Sequence, residues 1–321
     1  MSSSTATATT APIAYAAPRA LTLDEWEPMQ AQFHARVDAA TAGHRERRAV
    51  GESHAVEDFL YEYNGVRPAQ LRRWHPGPGI VLLDADTRLG WKWYRQATGG
   101  EASRRVGNDG PDAAPASAAI LDAAGFMAKR GSAVDFVESL MHRTAERPLH
   151  VGCFGLHEWA MVYKSGDPDR RHTLPLRLGR EGTDAVVESH PIACTHFDAF
   201  RFFTPEARPL NVAPLTRETQ LASEQPGCLH ATMDLFKWCL KLSPAVPSEL
   251  QQDCFDLAME VRRVDMQASP YDVSSYGLDA IAVETPHGKG QYAAMQREFA
   301  RRGALLRLRI VDACQAIRTA A

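Results

Sequence analysis

The sequence predicts an α+β protein, mainly α-helical, built as a single domain with a small β-hairpin or sheet element in its middle. Three observations lead there. Apolar residues recur at helical spacing through the first and last thirds of the chain, and the middle switches to apolar/polar alternation around a Gly-rich turn. No internal repeat of fixed period appears. With 321 residues the chain is long enough to bury a core without disulfide or metal staples.

The elements follow in order. Residues 1–20, MSSSTATATTAPIAYAAPRA, are rich in Ser, Thr, Ala and Pro and predict a disordered tail, which leaves 21–321 as the globular domain. The tail lacks the basic start and apolar block of a signal peptide. Thr22 followed by Glu25 is a capping-box pattern, and Trp26, Met29, Phe33 and Val37 then mark a long amphipathic helix. His54–Tyr63 and Arg67–Pro76 predict two shorter helices, the second stopped by Pro76. Gly79–Asp86 predicts a short buried strand, and Ala97–Ser117 a loop. Helices are expected over Ala118–Lys129 and Ala133–Ala145.

Thr173–Pro191 predicts the hairpin. Ile192–Pro205 also alternates, and as a strand it places His196, Asp198, Phe200 and Phe202 on one face. A helical reading instead stacks His196, Phe200 and Phe203; the Thr, Phe and flanking Pro residues favour the strand. Helix returns over Gly227–Leu242 and over Pro247–Met266, where Ser248 and Gln251 form a second capping-box pattern. One long or two short helices end the chain.

Composition narrows the function classes. The net charge is -3 and the pI about 6.5, so nucleic-acid contact requires a local basic patch rather than a global excess. Basic pairs such as Arg47–Arg48, Arg72–Arg73 and Arg262–Arg263 are scattered and predict solvated helix faces. The six cysteines contain no CxxC pair, which removes zinc-knuckle and thioredoxin-type motifs and fits reduced thiols in a cytoplasmic protein. No apolar run of about 18 residues exists, so no membrane span is expected. GLHEWAM lacks a histidine at 161 and is not a metalloprotease motif, and no phosphate loop or dinucleotide fingerprint occurs.

Chemistry concentrates in three segments. Cys153 precedes His157 and Glu158, Cys194 precedes His196 and Asp198, and Cys228 precedes His230 and Asp234. Each sets an imidazole and a carboxylate in apolar, aromatic-rich surroundings. Burying such groups separately costs several kcal/mol each, so the three segments are expected to converge. Neighbours on a helix point apart, so His157 and Glu158 share a small target only with a backbone irregularity. Glu158 is expected between Phe154 and Val162, a flank that suits a general acid. His230 and Asp234, four apart on a helix, share a face.

The strings VEDFLYEYNGVRPAQLRRWHPG, GCFGLHEWAMVY, LPLRLGREGTDAVVESH, HFDAFRFFT, EQPGCLHATMDLFKW and ASPYD resemble a family of actinobacterial proteins carried under the name 3-methyladenine DNA glycosylase. The resemblance runs from about Trp26 to Cys314. It implies hydrolysis of the N-glycosidic bond of an alkylated purine during DNA repair, with no cofactor. The base would be flipped out and stacked on aromatic rings, with Trp159, Phe200 and Trp238 as candidate platforms. Glu158, Asp198 and Asp234 are the candidate catalytic carboxylates. Arg72, Arg73 and Lys237 are candidate phosphate contacts, and a discrete basic groove beside the His/acid cluster is expected. An alternative is a divalent-metal enzyme acting on a small molecule, with His157, His196 and His230 as the imidazole ligands and Asp198 completing a His-x-Asp pair. A third is a non-enzymatic binding module with a buried polar network.

Overall fold

The computed structural model describes residues 19–102, 117–166 and 174–321. The tail through residue 18 and most of the Ala97–Ser117 loop lie outside the described residues. The fold is α+β and mainly helical, with one small four-stranded sheet.

Along the chain, β1 (Arg19–Leu21) leads into α1 (Leu23–Ala49). The short helices α2 (Phe59–Asn64) and α3 (Pro68–Leu71) follow. Then come β2 (Ile80–Leu83), α4 (Asp86–Leu89), β3 (Tyr94–Gln96), α5 (Gly99–Ala102) and β4 (Ala118–Leu121). After α6 (Ala123–Glu146) the chain makes α7 (Leu156–Ala160), α8 (Gly179–Glu188), α9 (Phe197–Phe200) and α10 (Gln220–Ser223). It ends with α11 (Leu229–Leu242), α12 (Ser248–Gln267) and α13 (Pro286–Thr319).

The first capping box forms as expected: Thr22 N–H donates to Glu25 Oε2 at 2.8 Å. Trp26, Phe33 and Val37 of α1 are buried, and Trp26 Nε1 donates to Leu83 O at 2.9 Å, tying α1 to the sheet. The strand order is β1-β2-β4-β3, with β1 parallel to β2 and the other pairs antiparallel. Alternation sorts the strands by face. Leu21, Leu82, Ala119 and Leu121 join the main core, while Ala20, Val81, Leu83 and Ile120 pack in a small second cluster. Helices α6, α11, α12 and α13 pack on one another, and α1 lies along α12, where Arg36 pairs with Asp253 at 2.6 Å and with Asp256.

Several expectations are corrected. Residues 19 and 20 belong to β1, not to a tail. Residues 118–121 form a strand, and a single helix replaces the two predicted after it, capped by Asp122 Oδ1 accepting from Gly125 N–H at 2.9 Å. The sheet therefore lies in the first 121 residues, not in the middle. The expected hairpin is helix α8: Thr183, Val186 and Val187 are its buried residues, at three- and four-residue spacing. The predicted strand over Ile192–Pro205 is short helix α9 between irregular segments. Among the described residues its β-pairing is a single parallel bridge, Ile192 with Asn211, and the Asn211 side chain takes Cys194 N–H at 2.8 Å and donates to Cys194 O at 3.1 Å. The second capping box does not form, because Ser248 Oγ accepts from His75 N–H at 2.8 Å and donates to Arg73 O at 3.1 Å.

Among the described residues no helix is long and apolar enough to cross a membrane. Arg88 is buried against Trp91, 4.0 Å from the ring centroid, and donates to Trp74 O and Gln30 Oε1. His75 sits beside it, with Nδ1 3.1 Å from Tyr94 OH. Burial, with Arg88 and Arg73 nearby, pushes the His75 pKa down to about 3. The unfolded chain therefore takes up a proton near pH 6.5 that the folded chain refuses. Its stability contribution is complete above that pH and is lost as pH falls towards about 3. The thermal midpoint should drop across this window, and His75→Gln should flatten the drop when melts are compared at matched pH.

Candidate functional site

The three segments converge. His157 and His230 meet edge-on with ring centroids 4.3 Å apart, and His230 stacks on His196 at 5.3 Å. The local fold of each segment explains how.

In GCFGLHEW, Phe154 and Gly155 both adopt left-handed φ, at 46° and 72°. A Cβ on Gly155 would stand 3.3 Å from Ala268 and 3.4 Å from the Tyr292 hydroxyl, so glycine suits both the dihedral and the space. This double turn starts five-residue helix α7. It supplies the irregularity that lets two adjacent side chains reach one target. His157 Nε2 lies 2.9 Å from Asp265 Oδ1, and Arg262 Nη1 donates to Glu158 Oε1 at 3.2 Å and to Asp265 Oδ2 at 3.3 Å. Arg262 and Asp265 are one turn apart on α12, which matches the divergence of the two α7 side chains. Glu158 thus faces a guanidinium, not the apolar flank that was expected. The other His157 nitrogen, Nδ1, lies 3.4 Å from Cys153 Sγ.

His196 caps α9: its Nδ1 accepts from Ala199 N–H at 3.3 Å. That acceptance leaves the ring proton on Nε2, which donates to Asp234 Oδ2 at 3.1 Å, with Glu224 Oε1 3.5 Å away. Glu224 is buried, and Gln220 Nε2 donates to it at 2.6 Å. Asp234 also accepts from Lys237, whose Nζ reaches Asp198 Oδ2 at 2.7 Å. Arg217 and Arg201 complete the surroundings of Asp198 at 2.9 Å and 3.4 Å.

Electrostatics divides the imidazoles. Burial opposes a charge on His157, but Asp265 and then Cys153 raise its pKa well above the ordinary value. His230 moves the opposite way: burial, then the charges of His157 and His196, push it well down. Burial would raise the carboxyl of Asp234, but Lys237 and His196 hold it well below the usual range. Asp198 is held down against burial by Lys237. Burial raises Glu224.

Two openings adjoin the cluster. A narrow cavity of about 10 Å³, lined in part by His230, Asp234, Asp198 and Tyr63, has room for roughly one water molecule. Beside it, sharing Tyr63 and Asp198, is a groove of about 600 Å³. Arg130, Arg201, Arg217, Lys237 and Lys241 line the groove against the single carboxylate of Asp198, and Tyr63, Phe136 and Trp238 supply aromatic walls.

The expected site residues are thus distributed unevenly. Glu158, Asp234, His157, His196 and His230 sit in the cluster, and Asp198 stands at its boundary with the groove. Trp238 borders the groove. Trp159 is wholly buried with Nε1 donating to Ala268 O at 2.9 Å, and Phe200 packs on Phe203 at 5.1 Å; both occupy the core. Arg72 pairs with Asp38 of α1 and Arg73 lies 5.8 Å from the Trp91 ring, and neither lines the groove. Lys237 does.

Arg262, Asp265 and Glu224 were not foreseen. Arg262 was hidden in a basic pair expected to be solvated. Arg263 is indeed exposed, paired with Glu57, while Arg262 is 1% exposed and lies 3.9 Å from the Phe59 ring centroid. The available signal was spacing: Arg262 and Asp265 follow Ala258 and Val261 on the buried stripe of α12.

Removing the guanidinium should leave two buried carboxylates facing each other. Arg262→Met should cost about 3–5 kcal/mol in denaturant unfolding. Adding Glu158→Gln should return part of that loss, since one uncompensated charge goes with it. Full stability in the single variant would rule out this ion-pair account. Comparison with known protein families, with curated proteins and with solved structures finds no match for this chain.

Proposed function

We propose that the protein is a DNA N-glycosylase that hydrolyses the N-glycosidic bond of an alkylated purine, with 3-methyladenine as the type substrate. The observation that carries this reading is the groove: five basic side chains against one carboxylate, aromatic walls, and a wall shared with a buried acid/imidazole cluster. A chain of net charge -3 concentrates cations there, as phosphate binding requires. The resemblance of its sequence motifs to the glycosylase family points the same way.

The chemistry suits the residues. An N3-alkylated adenine is already cationic, so it leaves readily and needs little help from an acid. The C1′–N9 bond breaks with its electron pair going to the base. The sugar left behind is oxocarbenium-like and calls for a facing anion. Asp198 and Asp234 are held ionised, and Asp198 is the one at the groove. A water in the narrow cavity would add its oxygen to C1′ and give up a proton to the Asp198 or Asp234 carboxylate. That cavity has no room for a purine, so the base would stay in the groove against Trp238 and Tyr63, whose cation–π attraction is worth about 1–2 kcal/mol.

Purified protein incubated with methylated DNA should release free 3-methyladenine, read by chromatography. Asp198→Asn, assayed as protein shown to be folded by circular dichroism, should lower the rate by about 100-fold or more. Arg201→Ser with Arg217→Ser should weaken binding to methylated DNA and reduce its salt dependence by about one unit of slope per lost phosphate contact. A folded protein that releases no base overturns the proposal.

A further inference from the structure

One part of the cluster is not used by that reading. Among the described residues, His157, Glu158, His230 and Asp265 each offer one ligand atom, and these four atoms all lie within 4.8 Å of one another. Two imidazoles and two carboxylates form a donor set of borderline hardness, suited to Zn²⁺, Fe²⁺ or Mn²⁺ and not to soft ions. Ligands around such an ion stand about 3–4 Å apart when bonds are about 2.0–2.2 Å, so the quartet needs only a modest contraction.

Two further observations bear on occupancy. The Nδ1 atom of His230 is out of solvent and makes no hydrogen bond among the described residues, although buried polar atoms are normally satisfied. His230, alone of the four, also lines the narrow cavity, which has room for roughly one water.

Charge counting agrees. Glu158 and Asp265, when ionised, outweigh the single positive charge of Arg262 by one negative charge in this buried place. Either a proton shared by His157 and Asp265 or a cation must meet it. Arg262 Nη1 reaches Glu158 Oε1 at 3.2 Å and Asp265 Oδ2 at 3.3 Å, longer than the roughly 2.7–2.9 Å of a tight charge-assisted bond. Cys153 supports the far nitrogen of His157, and His196 stacks on His230. Such outer partners orient metal-binding imidazoles and carboxylates.

We infer that His157, Glu158, His230 and Asp265 form a binding site for one divalent first-row metal ion, with Arg262 and Cys153 as outer supports. His196, which bonds Asp234 and caps α9, is outside the ligand set. The site stands whether or not the protein releases bases from DNA.

The test uses the full chain, stripped of metal and dialysed separately against Zn²⁺ and Mn²⁺. About one ion should bind per chain and raise the thermal midpoint. X-ray absorption of the Zn²⁺ form should show nitrogen and oxygen neighbours at about 2.0–2.2 Å and no sulfur at about 2.3 Å. His230→Ala and Asp265→Asn should each weaken binding by 100-fold or more. Failure of either variant to fold leaves the absorption spectrum and stoichiometry of the parent chain to decide. No saturable ion, sulfur ligation by the neighbouring cysteines, or affinity unchanged in folded His230→Ala would overturn the inference.

Discussion

The structure is organised around the cost of hiding charge. Arg262 of α12 stands between Glu158 and Asp265 with almost no exposure to water. A guanidinium or a carboxylate alone at that depth would remove a large part of an ordinary domain's stability. Together they permit one another, and they fix how α7 meets α12. The imidazoles of His157, His230 and His196 then carry the polar zone across to α11, where Asp234 and Lys237 continue it to Asp198 at the wall of the groove. Ion pairs of α12 with α1 and α13, Arg36 with Asp253 and Arg302 with Glu260, add to the buried pairs, so these helices cannot slide on one another without breaking polar contacts.

Long periodic elements were legible in the sequence. Helices α1, α11, α12 and the C-terminal helix follow from apolar spacing and their caps or flanking prolines, and strand β2 from its short apolar run. The failures share a cause. Alternation over Thr173–Pro191 and Ile192–Pro205 suggests strands, yet a strand requires a continuous partner edge, and among the described residues each segment finds one isolated bridge, Leu176 with Tyr271 and Ile192 with Asn211. Asn211 meets the backbone of Cys194 with a side chain, a solution that propensity cannot register. Ala118–Leu121 fails in the opposite sense: its alanines favour helix, but the edges of β2 and β3 claim it.

The site was legible in outline, because isolated polar groups in apolar segments must find each other. Which groups pair was not. Arg262 looks like half of a solvated basic pair, and only its phase on α12 distinguishes it from Arg263. The groove cations come from α6, α11, the residue that ends α9 and the segment before α10, so no local cluster announces them. Trp159 and Trp238 look equivalent as aromatic platforms, but one faces the core and the other borders the groove.

The hydroxyl of Ser248 has a wider effect. It is bonded to the backbone of residues 73 and 75, about half a chain away, and Gly77 has no side chain because one would strike Pro247 at 2.8 Å. These contacts stitch the β2-bearing amino-terminal third to the first turn of α12. Removing the residues around 73–77 would take from the start of α12 the backbone groups that Ser248 bonds and the surface on which Pro247 rests. The first turn of α12, the helix that carries Arg262 and Asp265 to the acid centre, is thus anchored by a seam closed far from it in sequence.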